Sequence, residues 1–279
     1  MNRPSGSARV WILWAVASLI VCAFMARLIF LTTVSVASTR TGTPQDDSAP
    51  RYLSPVALAM SSHGNRLYVL CMDSDQVLVV DTAAQKVIAQ VGVGRRPEGI
   101  ALSPDGKSLY VSSVWDGTVA EIDTDTLHLR RTMKAGWGPA DLTTDKPGRF
   151  LYVANTLGND VSVIDLSTGR EVKRLEAGHF PKYVALSKDG RHVFVSNLMV
   201  RIEPYDRPPL SQLTVVDTAK RLVSERVEIP GVIQLRHIAE LPESAGGDLI
   251  IPFMRPKNLN PLIQVEQGWY MTHGMTTLW

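Results

Sequence analysis

Cysteine is nearly absent from this chain, with only Cys22 and Cys71 among 279 residues. One lies in an apolar run and the other in a strand-like run, so neither a disulfide framework nor a metal quartet is available. A dominant charge is lacking too. The 29 basic and 27 acidic residues are interspersed, the formal net charge is +2, and no one-signed face for nucleic acid is expected. The chain holds no CxxCH, no G-x-S-x-G, no G-x-G-x-x-G and no G-x-x-x-x-G-K, and its six histidines show no H-x-H or H-x-x-x-H spacing. These absences remove the usual haem, nucleophile-elbow, nucleotide and metal readings. No cofactor, metal ligand or catalytic residue is expected, and binding is favoured over enzymatic function.

What is present begins with an apolar N-terminus. After Arg3 and Arg9 the chain runs uncharged from Val10 to Ala26, passes Arg27, and continues apolar to Ser38. At 1.5 Å per residue the uncharged part spans about 25 Å, and Arg27 can snorkel while Leu28–Leu31 complete a crossing of a ~30 Å core. Residues 1–38 are expected to form a transmembrane helix, with the basic end in the cytoplasm and the rest on the periplasmic or extracellular side. A cleaved signal peptide, with small residues at Ser35 and Ala37, is the alternative, and would release the protein to the periplasm. Residues 39–50 (TRTGTPQDDSAP) have the composition of a linker.

From residue 51 onward the chain repeats itself. Segments beginning at Pro55, Pro97, Pro139 and Pro181 superimpose at a constant offset of 42 residues. Gly64, Gly106, Gly148 and Gly190 coincide, as do Val69, Val111, Val153 and Val195. So do Gly94, Gly136 and Gly178, and Asp81, Asp123 and Asp165. Within one unit the apolar runs IALS, LYVSS, TVAEID and LRRTMKAG are separated by the turn signals PDGK, WDG and TDT, which predicts four strands per unit. Four antiparallel strands every ~40 residues describe the blades of a β-propeller. The expected fold is all-β: four full blades and a partial fifth over 51–279. A short fifth blade leaves the propeller apparently truncated; a five-bladed ring closed near Tyr52–Ser54 is the competing expectation.

The runs LYVLC, LYVSS, LYVAN and VFVSN, with SPDG and VSVIDLSTG, resemble YVTN-type β-propeller repeats of bacterial and archaeal extracytoplasmic proteins. The fourth and fifth units resemble propellers that precede a cytochrome c or di-haem peroxidase-like domain. That resemblance implies an extracytoplasmic propeller, with a cytochrome c-type protein among its candidate partners and a periplasmic redox or quinoprotein-like enzyme as the alternative function. It brings no haem ligand, because CxxCH is absent.

Functional candidates follow from blade parity. In an up-and-down blade, the loop between the second and third strands and the connection to the next blade emerge at the same end. The connections carry Arg95-Arg96, Trp137-Gly138, His179-Phe180 and Gln234-Leu235, variable residues that in the first three lie between constant Gly and Pro, and the WDG turn adds Trp115. Insertions fall at that end as well. Phe194 to Asp217 takes 23 steps where Tyr152 to Asp165 takes 13, and the fifth unit lengthens the same loop from Arg255 to Gly274. Arg201, Arg255, Lys257 and Trp269 would give this wall a basic and aromatic character suited to an anionic ligand or acidic protein. His179 and His237 are expected near the starts of innermost strands. The recurring Asp81, Asp123 and Asp165, and the recurring Ser61, Ser103 and Ser187, are expected to serve turns.

Overall fold

The computed structural model describes residues 52–200, 209–240, 249–256 and 271–278. Among them no helix is long and apolar enough to cross a membrane. The expected span at 1–38 and the linker at 39–50 lie outside the described residues.

Each 42-residue unit folds as one four-stranded antiparallel sheet in sequential order. Blade 1 holds β1 (Pro55–Met60), β2 (Arg66–Cys71), β3 (Gln76–Asp81) and β4 (Lys86–Gly92). Blade 2 holds β5 (Pro97–Leu102), β6 (Ser108–Ser113), β7 (Thr118–Asp123) and β8 (Leu129–Lys134). Blade 3 holds β9 (Pro139–Thr144), β10 (Phe150–Asn155), β11 (Asp160–Asp165) and β12 (Arg170–Glu176). Blade 4 holds β13 (Pro181–Leu186), β14 (His192–Asn197), β15 (Leu210–Asp217) and β16 (Leu222–Pro230). Each first strand opens on proline, the strand position where a missing N–H costs least. A register shift near that proline bends each first strand where it enters its sheet.

Among the described residues the fifth unit has three strands' worth of sheet. Its first strand is broken into β17 (Gln234–Leu235) and β18 (Ala239–Glu240), both paired to β19 (Leu249–Pro256), which pairs in turn with β20 (Met271–Leu278). Tyr52–Ser54 form no strand, and Tyr52 is exposed.

Successive blades bury apolar faces against each other. Tyr68, Leu70, Val77 and Val79 of blade 1 meet Leu109, Val111 and Ile122 of blade 2. Separate clusters join blades 2 and 3, 3 and 4, and 4 and 5. Each fully buried Leu, Ile or Val contributes roughly 1.5–3 kcal/mol. The first strands β1, β5, β9 and β13 pack successively, as blades around an axis do.

The constant columns have local causes. Gly64, Gly106, Gly148 and Gly190 all have positive φ, from 69° to 76°, in the turn joining the first two strands. Gly136 has a different reason: a Cβ there would overlap the side-chain amide of Asn155, which accepts the Gly136 N–H at 3.1 Å. Asp81, Asp123 and Asp165 cap turns as expected, accepting the N–H groups of Ala84, Thr126 and Ser167. Asp123, held by the Thr126 N–H and then by Arg130, has its pKa lowered to about 2. Ser61, Ser103 and Ser187 accept the N–H groups of Arg66, Ser108 and His192. In blade 3 the same column holds Asp145, whose Oδ1 accepts from both Arg149 and Phe150. Cys71 is buried and free, and burial raises its thiol pKa.

Candidate functional site at the loop-bearing rim

Blade parity brings two loops together, and one hydrogen bond repeated in four blades fixes them. The first residue after the second strand donates its N–H to the residue just before the first strand. The pairs are Met72 to Ser54 (3.0 Å), Val114 to Arg96 (3.1 Å), Thr156 to Gly138 (2.8 Å) and Leu198 to Phe180 (2.9 Å). All four acceptors have positive φ: Ser54 45°, Arg96 52°, Gly138 65° and Phe180 60°. This column of positive φ, each member followed by Pro and three of them preceded two residues earlier by Gly, lifts the variable side chains onto the rim.

At the entrance to blade 2 the rim is basic and aromatic. The Arg96 guanidinium lies 5.5 Å from the Trp115 ring centroid, a cation–π contact. Arg95 is engaged by Asp116, which accepts its backbone N–H at 2.7 Å and its Nε at 2.8 Å. The Arg95 N–H is the main cause of the lowered Asp116 pKa, and the guanidinium adds to it. Trp137, at the next entrance, is 77% exposed.

Around the entrance to blade 4 the rim becomes concave. A recess of about 510 Å3 is lined by Leu157, Phe180, Leu198, Met199, Val200 and Ile233, with Thr156, Asn159, His179 and Gln234 as its polar lining. Three of the lining polar groups are already used, Gln234 Oε1 by accepting from Arg236 Nε at 3.2 Å and Nη2 at 3.1 Å. Thr156 Oγ1 donates to Pro181 O at 2.9 Å, and Asn159 Oδ1 accepts the Phe180 N–H at 2.8 Å. A second recess of about 690 Å3 shares Asn159 and His179 and is lined by Asp160, Arg174, Glu176, Gln212 and Arg226. His179 therefore stands between an apolar and a polar hollow, an arrangement suited to a ligand or side chain with both characters.

Several expected candidates fall elsewhere. Gln234 and Leu235 are strand residues of β17, and the connection is Gly231–Ile233; pairing with Met254 and Phe253 draws them into the sheet. His237 lies in the break between β17 and β18, with φ 46°, and its ring meets Tyr183 edge-on at 5.2 Å. Arg255 and Pro256 are the last two residues of β19, opposite Thr272 and Met271, and Met271–Gly274 open β20, so the expected loop from Arg255 to Gly274 is shortened at both ends. Within the longer interval from Phe194 to Asp217, Leu210–Gln212 pair with Glu228–Pro230 and belong to β15, not to the inserted loop. Arg201, Lys257 and Trp269 lie outside the described residues.

A charged group along the first strands was not anticipated. Lys182 pairs with Glu98, two blades away. Asp141 accepts the Val184 N–H at 3.0 Å and its own Leu142 N–H at 2.9 Å. Although Asp141 keeps some solvent contact, desolvation is the largest influence on its carboxyl and raises the pKa to about 6 against those two hydrogen bonds and the nearby His237 and Lys182. The available signal was column variability: Glu98 aligns with Val56, Ala140 and Lys182, and Asp141 with Ala57, Gly99 and Tyr183. Among the described residues no group of three or more His, Cys, Asp or Glu is placed to hold a metal ion.

No family model and no curated protein matches the chain. Among solved structures it is similar to a chain of Kuenenia stuttgartiensis hydrazine synthase, with a TM-score of 0.71 and 24% identity over 83% of this chain. The match spans 65% of that chain's length. Likeness at this identity carries the fold and nothing of the chemistry, and with the repeated four-stranded sheets it makes the described residues an all-β repeat structure of propeller type.

Proposed function

We propose that this protein is a membrane-tethered, extracytoplasmic binding module that receives a protein or small ligand on its loop-bearing rim. The observation that carries the reading is the apolar recess of about 510 Å3 between the loops of blades 3, 4 and 5. Loops set on a rigid repeated frame are where binding residues concentrate. Its occupant is an apolar group with a polar neighbour, an aromatic or aliphatic side chain of a partner or a compact amphipathic molecule. Tethering rests on the apolar run from Val10 to Ser38 after a basic start.

The test is site-specific photocrosslinking in intact membranes, with a benzophenone side chain placed at Met199 in the recess or at Asp105 in the turns of the opposite rim. A discrete adduct from Met199, lost when Leu157→Asp is added and never formed from Asp105, is the expected result. Equal labelling from both positions, or none from Met199, overturns the assignment of the rim.

A further inference from the structure

The exposed Tyr and Trp side chains among the described residues are confined to one end of the blades. They are Tyr52, Trp115 and Trp137, at 82%, 64% and 77% exposure. Trp115 follows the second strand of blade 2, Trp137 precedes the first strand of blade 3, and Tyr52 stands two residues before Ser54. All three therefore belong to the loop-bearing rim, where Leu157, 59% exposed, joins them. At the opposite end, the turns joining first to second and third to fourth strands in blades 1–4 hold no exposed large apolar residue.

The N-terminal chain joins the blades at that same end. Ser54 shares the positive-φ column with Arg96, Gly138 and Phe180, and it accepts the Met72 N–H as they accept theirs. Thirteen residues, 39–51, separate the apolar run ending at Ser38 from Tyr52. As a flexible chain they span about 20 Å on average. A six-residue strand is also about 20 Å long. Turning the opposite rim to the bilayer would therefore use the linker's whole average reach in passing the blade. The side chains suit a lipid surface as well. Indole and phenol rings collect at the boundary of headgroups and hydrocarbon, where an apolar body and a polar N–H or O–H are both satisfied. The Arg96 guanidinium stacked on Trp115 adds a cation matched to lipid phosphates. Asp116 engages Arg95 and Asp75 accepts the Arg96 N–H, so the rings carry more of the contact than net charge does.

We infer that the loop-bearing rim rests on the lipid surface of the membrane to which the chain is tethered, with Trp115, Trp137 and Leu157 entering the headgroup region. This deepens the binding reading above and rests on its tether, naming the partner of the rim as the bilayer itself. Binding then scales with the apolar area that these side chains bury.

Quenching of tryptophan emission by phospholipids brominated on the acyl chain tests this, with the full chain reconstituted in vesicles. Three versions are compared, each carrying Trp→Phe at every native tryptophan it does not keep. The first keeps Trp115 and Trp137, and the second keeps Trp11 and Trp14 of the apolar run. The third has only Lys107→Trp, in an exposed turn of the opposite rim. The second version should be strongly quenched, and the first should lose at least three times as much emission as the third. Leu157→Asp added to the first should at least halve its quenching. Rim quenching no greater than that of the third version, or unchanged by Leu157→Asp, overturns the inference, while quenching of Trp11 and Trp14 keeps the tether standing. An unquenched apolar run removes the tether and the inference together. An unquenched rim that still gives the discrete protein adduct from Met199 assigns the rim to a protein partner and overturns the lipid contact alone.

Discussion

Asp141 of the third blade accepts the backbone N–H of Val184, in the fourth, at 3.0 Å. The bond ties two adjacent first strands through a carboxyl whose pKa is raised from 3.8 to about 6, mainly by desolvation. With the folded pKa above the unfolded one, the native state binds more protons between those values, so stability falls as pH rises through that window. The interval corresponds to at most about 3 kcal/mol at one pKa unit per 1.36 kcal/mol. Urea unfolding of the full chain should show its midpoint decline between pH 4 and 6. Asp141→Asn should flatten that decline, and an unchanged slope in the variant would assign it to other groups.

Gly99 is closed to any side chain. A Cβ at this position would overlap the carbonyl oxygen of Ala140 and come within 2.9 Å of Asp141 Cα. Both obstacles are backbone and cannot rotate away. Gly99→Ala should cost about 1–3 kcal/mol or more through overpacking. Gly92→Ala, where nothing lies within 4 Å, should change stability by less than about 0.5 kcal/mol. The difference between their thermal midpoints is the measurement.

Asp145 occupies a column that other blades fill with serine, and it satisfies two N–H groups where serine satisfies one. Asp145→Ala should lose about 1–3 kcal/mol by leaving buried donors without a partner. Asp145→Ser should recover at least half of that loss in the same unfolding experiment. Equal loss in both variants would mean that the second hydrogen bond dominates.

The repeat, the four strands per blade and the turn columns were legible in the sequence because the same side chains recur every 42 residues. Elements that depend on a unique partner were not. β15 begins at Leu210 because β16 is long enough to pair with it, and no local signal separates Leu210–Gln212 from the preceding loop. The break at residues 236–238 in the first strand of blade 5 has no counterpart in the other blades. On the rim, Arg96, Trp115 and His179 were found by parity and variability. The recess beside His179 was not, since Leu198, Met199 and Ile233 come from separate loops and look like ordinary apolar residues until the fold assembles them.

Glu121 is buried and accepts from Ser108 Oγ at 2.9 Å, Arg130 Nη1 at 3.0 Å and Arg131 Nε at 2.6 Å. Removing it takes the shared carboxylate from both guanidinium groups, leaving Arg130 to Asp123 and Arg131 to the Leu166 carbonyl. Glu121→Ala should destabilise by about 3 kcal/mol, toward the lower end for broken buried pairs because both arginines reach solvent. High salt should barely move the wild-type midpoint if this network dominates the local electrostatics, because a buried carboxylate is poorly screened.

The left-handed column Ser54, Arg96, Gly138 and Phe180 has a consequence for how this molecule can change. Three of its four members are residues for which glycine would relax the backbone, by about 1 kcal/mol at each site before glycine's own entropy is charged against the gain. Natural drift toward stability alone would favour glycine there. Side chains at three of these sites cost some stability, and they make that part of the rim a set of exchangeable letters. A library randomised at 54, 96 and 180, leaving Gly138 whose added Cβ would overlap Leu157, would vary the side chains of the rim while the strands beneath keep their pairing.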